Sequence, residues 1–136
     1  MGIAQGILTN FNFNQVFSIG TDYYGAFSGD IYTVTETWGM PIAFETNIRM
    51  LGFVTSQGYT NTDTITMTIY NRTQNTSRSV TFNSWDVSTL NSLALSSALQ
   101  VFTGDLIYIG FLFNSVNFSD INVTQILAIY DLGTSV

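Results

Sequence analysis

The sequence predicts an all-β protein, an antiparallel β-sandwich of eight to ten short strands, and three observations carry that expectation. Stretches that alternate polar and apolar residues recur along the chain, turn-forming residues separate them at fairly even spacing, and no stretch holds the apolar period of a long helix. A chain of 136 residues is long enough to bury roughly two thirds of its unfolded surface in one core. The expected organisation is therefore one domain over residues 1–136, with residues 1–20 as an N-terminal arm or an exchanged strand.

The elements follow in order. Leu8 to Asn14 alternates Phe11 and Phe13 with Asn10, Asn12 and Asn14. Tyr23 to Phe27 and Asp30 to Thr37 read as two strands around a turn at Ser28-Gly29, and Gly39 and Pro41 break the pattern before a short piece, Ile42 to Phe44. In Asn47 to Thr55, strict alternation puts Ile48, Met50 and Val54 on one face and Arg49, Leu51 and Phe53 on the other. Ser56 to Asp63 is a polar loop. Thr64 to Tyr70, a turn at Thr73 to Thr76 and Arg78 to Phe82 make a hairpin in which Ile65, Met67 and Ile69 alternate with Thr64, Thr66 and Thr68. Val87 to Gln100 reads as an irregular crossing segment, because Leu90, Leu93, Ala94 and Leu99 fit a short helix while Leu93 and Leu95 fit a strand. Leu106 to Phe113 is apolar on both faces, as a central strand is, and Asn122 to Asp131 is the last strand.

Composition narrows the function. Charged residues make up 9% of the chain, against about 25% in an average soluble domain. Thr (19), Ser (13) and Asn (12) take their place. The cations are Arg49, Arg72 and Arg78, and the net charge is −6. Binding to nucleic acid and docking on an anionic membrane both need positive charge, so neither is expected. The longest apolar run, Leu106 to Phe113, has eight residues, whereas a helical span needs about 20, so membrane insertion is not expected. The stretch MGIAQGILTNFNFNQ has neither a basic n-region nor an apolar core of signal-peptide length, which sets the expectation that the chain is not a secretory precursor.

Lys, His and Cys are absent, which removes most nucleophile–base arrangements and the usual transition-metal ligands. A carboxylate pair is the remaining catalytic device. Its candidates are Asp22, Asp30, Glu36, Glu45, Asp63, Asp86, Asp105, Asp120 and Asp131, most of them in turns. Asp22, Asp30, Asn61, Asp63 and Asp120 offer oxygens for calcium, but no Ca-loop motif joins them. The expectation is a protein without catalysis and without a cofactor.

From about Thr46 to Asp131 the order of segments carries a resemblance. NIRMLGFVTS leads through a Gly-containing loop to TITMTIYNR, then to SVTF, and at last to VFTGDLIYIGF. The Gly104-Asp105 turn that launches Leu106, Ile107, Tyr108 and Ile109 resembles the element "GD, then apolar strand" of jelly-roll domains. It is similar to those of phage and viral head, spike and fibre proteins and of the trimeric C1q/TNF-like heads. The resemblance implies a jelly-roll sandwich, self-association as a homotrimer or larger assembly, other virion proteins as partners, and a virion or extracellular location. Read by its chemistry alone, the pair is a tight structural turn: Gly104 can take positive φ and Asp105 can bond local backbone.

Aromatic side chains set among Asn, Asp and Thr suit the stacking of sugars, and the candidate glycan-binding residues are Tyr23, Tyr24, Tyr59, Trp38 and Trp85. Against this, Trp38 and Trp85 also suit the ends of a sandwich core. Four N-x-S/T sequons, at Asn71, Asn75, Asn117 and Asn122, are what chance supplies in a chain this rich in Asn, Ser and Thr.

A strand face of Thr, Asn and Ser can be wetted, or packed on a neighbour at lower desolvation cost than a charged face. With the resemblance, this leads to the expectation of a non-catalytic structural subunit of a virus or phage particle: a capsid, decoration or spike/fibre-head protein. The first alternative is a carbohydrate-binding or receptor-binding module. The second is an extracellular filament subunit joined by strand donation through Ile7 to Phe17.

Overall fold

The computed structural model describes residues 3–10, 14–25, 27, 31–33 and 39–134. The strands are β1 (Ile3–Asn10), β2 (Gln15–Ser18), β3 (Tyr23–Gly25), β4 (Ile31–Tyr32), β5 (Met40–Pro41), β6 (Thr46–Thr55), β7 (Thr64–Asn71), β8 (Thr76–Phe82), β9 (Asn91–Val101), β10 (Leu106–Asn114) and β11 (Asp120–Thr134). The first sheet runs β1-β11-β6-β9, with β2 beside β11, and the second runs β4-β3-β10-β7-β8, with β5 beside β10. All recorded pairings are antiparallel.

β1 and β2 share one edge of β11, at Asn10↔Ile126 and Gln15↔Val123, so they act as one interrupted strand. Counted so, and with β3 standing for the edge that β4 and β5 extend, the described residues supply eight strands. Their order is first-eighth-third-sixth in one sheet and second-seventh-fourth-fifth in the other. That is the double Greek key of a jelly roll.

Alternation is borne out in β7, where Ile65, Met67 and Ile69 are fully buried and Thr64, Thr66, Thr68 and Tyr70 lie half-buried on the outer face. The hairpin turn closes with Asn75 at φ 56°, a left-handed position that Asn tolerates. β10 is central, between β7 and the β3/β5 edge, as its two-faced apolar sequence demands.

Two expectations are corrected. Val87 to Gln100 is not an irregular crossing: residues from Asn91 onward form β9, an edge strand paired with β6. Its period is hidden because Ile48 pairs Leu99 while Met50 pairs Ala94, so the ladder jumps over Leu95 to Ala98. The same shift breaks the alternation of β6. Ile48, Leu51 and Phe53 are buried in the core, while Arg49, Met50 and Val54 are not. One extra residue at Arg49 reverses the phase, as a bulge does. The strands expected at Leu8 to Asn14 and Asp30 to Thr37 are described only in part, and the Ser28-Gly29 turn lies outside the described residues.

Between the sheets, Phe53 meets Phe82, Trp85 and Phe111 edge-on at 4.8, 5.9 and 6.2 Å, and Phe17 stacks on Phe111 at 4.2 Å. Such pairs add about 0.5–1.5 kcal/mol each beyond the area they bury.

Candidate functional site

The Gly104-Asp105 turn shows how buried polar groups are handled here. Gly104 has φ 88° and its N–H donates to the Ile42 carbonyl at 2.6 Å. The Asp105 carboxylate is 3% exposed. It accepts from the Asn71 amide (2.7 Å), the Phe102 N–H (2.9 Å) and the Gln74 amide (3.3 Å). Led by the Asn71 bond, these contacts hold its carboxyl below the usual aspartate range despite burial. Asp63 is held in the same way: burial pushes its carboxyl up, but bonds from Ser115 (2.6 Å) and the Thr60 N–H (2.7 Å) outweigh this and keep it low. Asp131 pairs with Arg49 at 2.5 Å. These three buried carboxylates thus serve loops and sheet ends, and no group of three His, Cys, Asp or Glu that could hold a metal occurs among the described residues. Asn71, one of the sequons, is fully buried by its bonds to Asp105 and the Gln100 carbonyl.

The candidate aromatic residues are not gathered at one place. Tyr23 turns inward and packs edge-on to Phe17 at 4.9 Å, its hydroxyl accepting from the Ser18 N–H at 3.1 Å. Trp85 is 5% exposed, lies against Phe53 and Phe113, and donates its indole N–H to the Gln57 carbonyl at 2.9 Å. Tyr59, 46% exposed, stands over Trp85 at 5.6 Å. Trp38 lies outside the described residues. Of the four described, Tyr24 alone reaches the outer face of the second sheet, where it meets two residues that the sequence reading missed. Tyr70 and Tyr108, paired across β7 and β10, stack at 4.5 Å and 9°. Tyr24 stands at 6.0 Å from Tyr70 and 6.2 Å from Tyr108, tilted to both. The signal was present: Tyr70 continues the outward phase of Thr64, Thr66 and Thr68, but its partner on β10 could be known only from the register.

Burial lifts the phenols of all three above their ordinary value. The Asp22 charge adds to this at Tyr24 and Tyr70, and the Arg72 charge opposes it at Tyr108. The rings therefore remain neutral hydroxyl donors at neutral pH. Beside them the face is a ladder of hydroxyls, with Thr66 bonded to Thr81 (3.2 Å) and Thr68 to Ser79 (2.7 Å).

The first sheet's outer face is different. Ile7, Ile129, Met50 and Ala94 are direct cross-strand partners in one row over β1, β11, β6 and β9. Ile7 is 60% exposed, Ala94 is exposed, and Ile129 and Met50 are half-buried. None of the four belongs to the core cluster.

No protein-family model matches the sequence, and no characterised protein matches it in sequence. Among solved structures, the chain is similar to one from the Gt strain of infectious bursal disease virus, with TM-score 0.49 and 14% identity over 93% of this chain and 32% of that one. It is similar to a chain of the T13 viral particle of that virus, with TM-score 0.44 and 14% identity over 93% and 31%. It is similar also to Eiger TNF from S. frugiperda, with TM-score 0.41 and 11% identity over 100% and 96%. The chain spans about a third of the length of the two viral chains. A virus-particle protein and a TNF are thus both among the structures that it resembles. At such scores these likenesses carry no argument about function, and the jelly-roll assignment rests on strand order.

Proposed function

We propose that the chain is a non-catalytic structural subunit of a virus or phage particle, a capsid, decoration or spike/fibre-head protein, which assembles by self-association. The observation that carries this reading is the row Ile7-Ile129-Met50-Ala94 across β1, β11, β6 and β9 on the outer face of the first sheet. Apolar side chains gain by leaving water, and a continuous row of them on a sheet face suits burial against a partner. Arg49 and Asp131, which follow the row on β6 and β11, pair with each other at 2.5 Å, so a neighbouring copy can seat on the face without meeting an unpaired charge there. The partner is accordingly a second copy of this chain, in a homotrimer or larger closed assembly, with other virion proteins around it. A virion or extracellular location agrees with a protein whose contacts depend little on ionisable groups.

Absolute mass by light scattering, over a dilution series and with salt added, tests the reading. A stable trimer or larger particle, dissociated by Ile129→Lys, is the expected result. A monomer at micromolar concentration would sink it, and open-ended polymers would move the assignment to strand donation.

A further inference from the structure

We infer that the outer face of the second sheet holds a binding site for a neutral glycan, centred on Tyr24 and Tyr70 and floored by Gly110. This inference does not rest on self-association, which uses the opposite sheet.

Gly110 is the central position. It sits on β10 directly between Tyr24 on β3 and Thr68 on β7. A β-carbon added there would lie 2.9 Å from the Tyr70 ring, so only glycine lets the ring lie down on the strand at this point. Glycine within a central strand otherwise weakens it, and marks a site of close approach. Beside the ring lies a hollow of about 40 Å³, lined by Asp22, Tyr24, Thr66, Thr68 and Tyr70 over the strand Gly110 to Leu112. That is room for one hydroxyl or hydroxymethyl group. The body of a ligand seated there would lie across the aromatic rings.

The chemistry of the lining selects the ligand. Aromatic rings offer stacking to the C–H face of a sugar. The Asp22 carboxylate accepts from sugar hydroxyls, and the hydroxyls of Thr66, Thr68 and the tyrosines give and accept. Among the described residues, Asp22 is the one charged group in the lining. Arg72 acts on Tyr108, which does not line the hollow. A single carboxylate disfavours an anionic sugar and leaves a neutral one. Tyr108 is a positioning residue, holding the Tyr70 ring by stacking on it.

The test is calorimetric titration of the full chain with cellotetraose, maltotetraose, lactose and sialyllactose, with protein-observed NMR to locate the shifts. At least one neutral sugar is expected to bind, with sialyllactose weaker than lactose and the shifts centred on Gly110. Tyr24→Ala and Asp22→Asn should each weaken binding about tenfold, the equivalent of about 1.4 kcal/mol. Tyr59→Ala, at the other aromatic position, should leave it unchanged. If Tyr24→Ala fails to fold by circular dichroism, Gly110→Ser sets a side chain against the Tyr70 ring, displaces it and should abolish binding in its place. No binding of any neutral sugar at about 10 mM, far weaker than a site of this kind requires, would overturn the inference. So would equal binding of sialyllactose, retention of binding in the variants, or binding of a proline-rich peptide at these tyrosines instead.

Discussion

The two sheets share one core and turn unlike faces outward. On the second sheet, Thr66 bonds Thr81 and Thr68 bonds Ser79, so the outward side chains satisfy one another within the chain. On the first, Ile7, Ile129, Met50 and Ala94 form a row with nothing comparable to satisfy. A hydroxyl ladder is content beside water, since its bonds persist wet or dry. An apolar row lowers its free energy only by leaving water. One sandwich thus separates a surface suited to permanent contact from one suited to an exchangeable ligand, and it does so without patches of opposite charge.

The comparison can be tested at several strengths. The largest effect should come from the core that both faces share: Phe53→Ala removes the ring that meets Phe82, Trp85 and Phe111. It should cost about 3–5 kcal/mol in urea unfolding, and both faces should be lost together. Next is Ile129→Lys, expected to weaken assembly by about 30-fold or more, as the loss of about 2 kcal/mol of apolar burial implies. Thr68→Lys, on the opposite sheet, should leave the mass unchanged. If Thr68→Lys dissociates the assembly instead, the two faces have been assigned the wrong way round.

A third effect concerns pH. Asp63 and Asp105 have carboxyls held below their unfolded value. Their contribution is therefore present above the ordinary aspartate pKa and lost as pH falls through the depressed one. The thermal midpoint should drop in acid, and Asp63→Asn or Asp105→Asn should flatten that limb. Between pH 6 and 8, where neither group titrates, the midpoint should stay flat, with about a degree of change. The smallest effect should be Thr68→Ala, about 0.2–1 kcal/mol for a lost cross-strand pair. A larger loss would mean that the ladder supports the sheet and does not merely cover it.

Legibility varied with how local each feature is. The β7–β8 hairpin could be read nearly whole, because alternation and turn residues lie in one continuous stretch, although β8 begins at Thr76 and not, as expected, at Arg78. β9 could not, since its pairing with β6 skips from Leu99 to Ala94 and no local period survives. For the candidate site, Tyr24 was legible as an exposed aromatic, but Tyr70 and Tyr108 were not, because they meet only across two strands 38 residues apart in sequence. Trp85 and Tyr23 read as candidates for the same reason that they pack well, being large rings with a polar handle that finds a backbone partner.

The sequence by itself determined the class of structure, the shortage of charge, and the absence of Lys, His and Cys. Composition and period-2 alternation are local properties and survive without a fold. Only the tertiary structure decided which sheet each outward residue belongs to. The bulge at Arg49 sends Met50 outward to join Ile129, where strict alternation had placed it beside Ile48. The physical reason is that one inserted residue reverses every side chain beyond it, while the pairing that creates the insertion is made with strands far away in the chain.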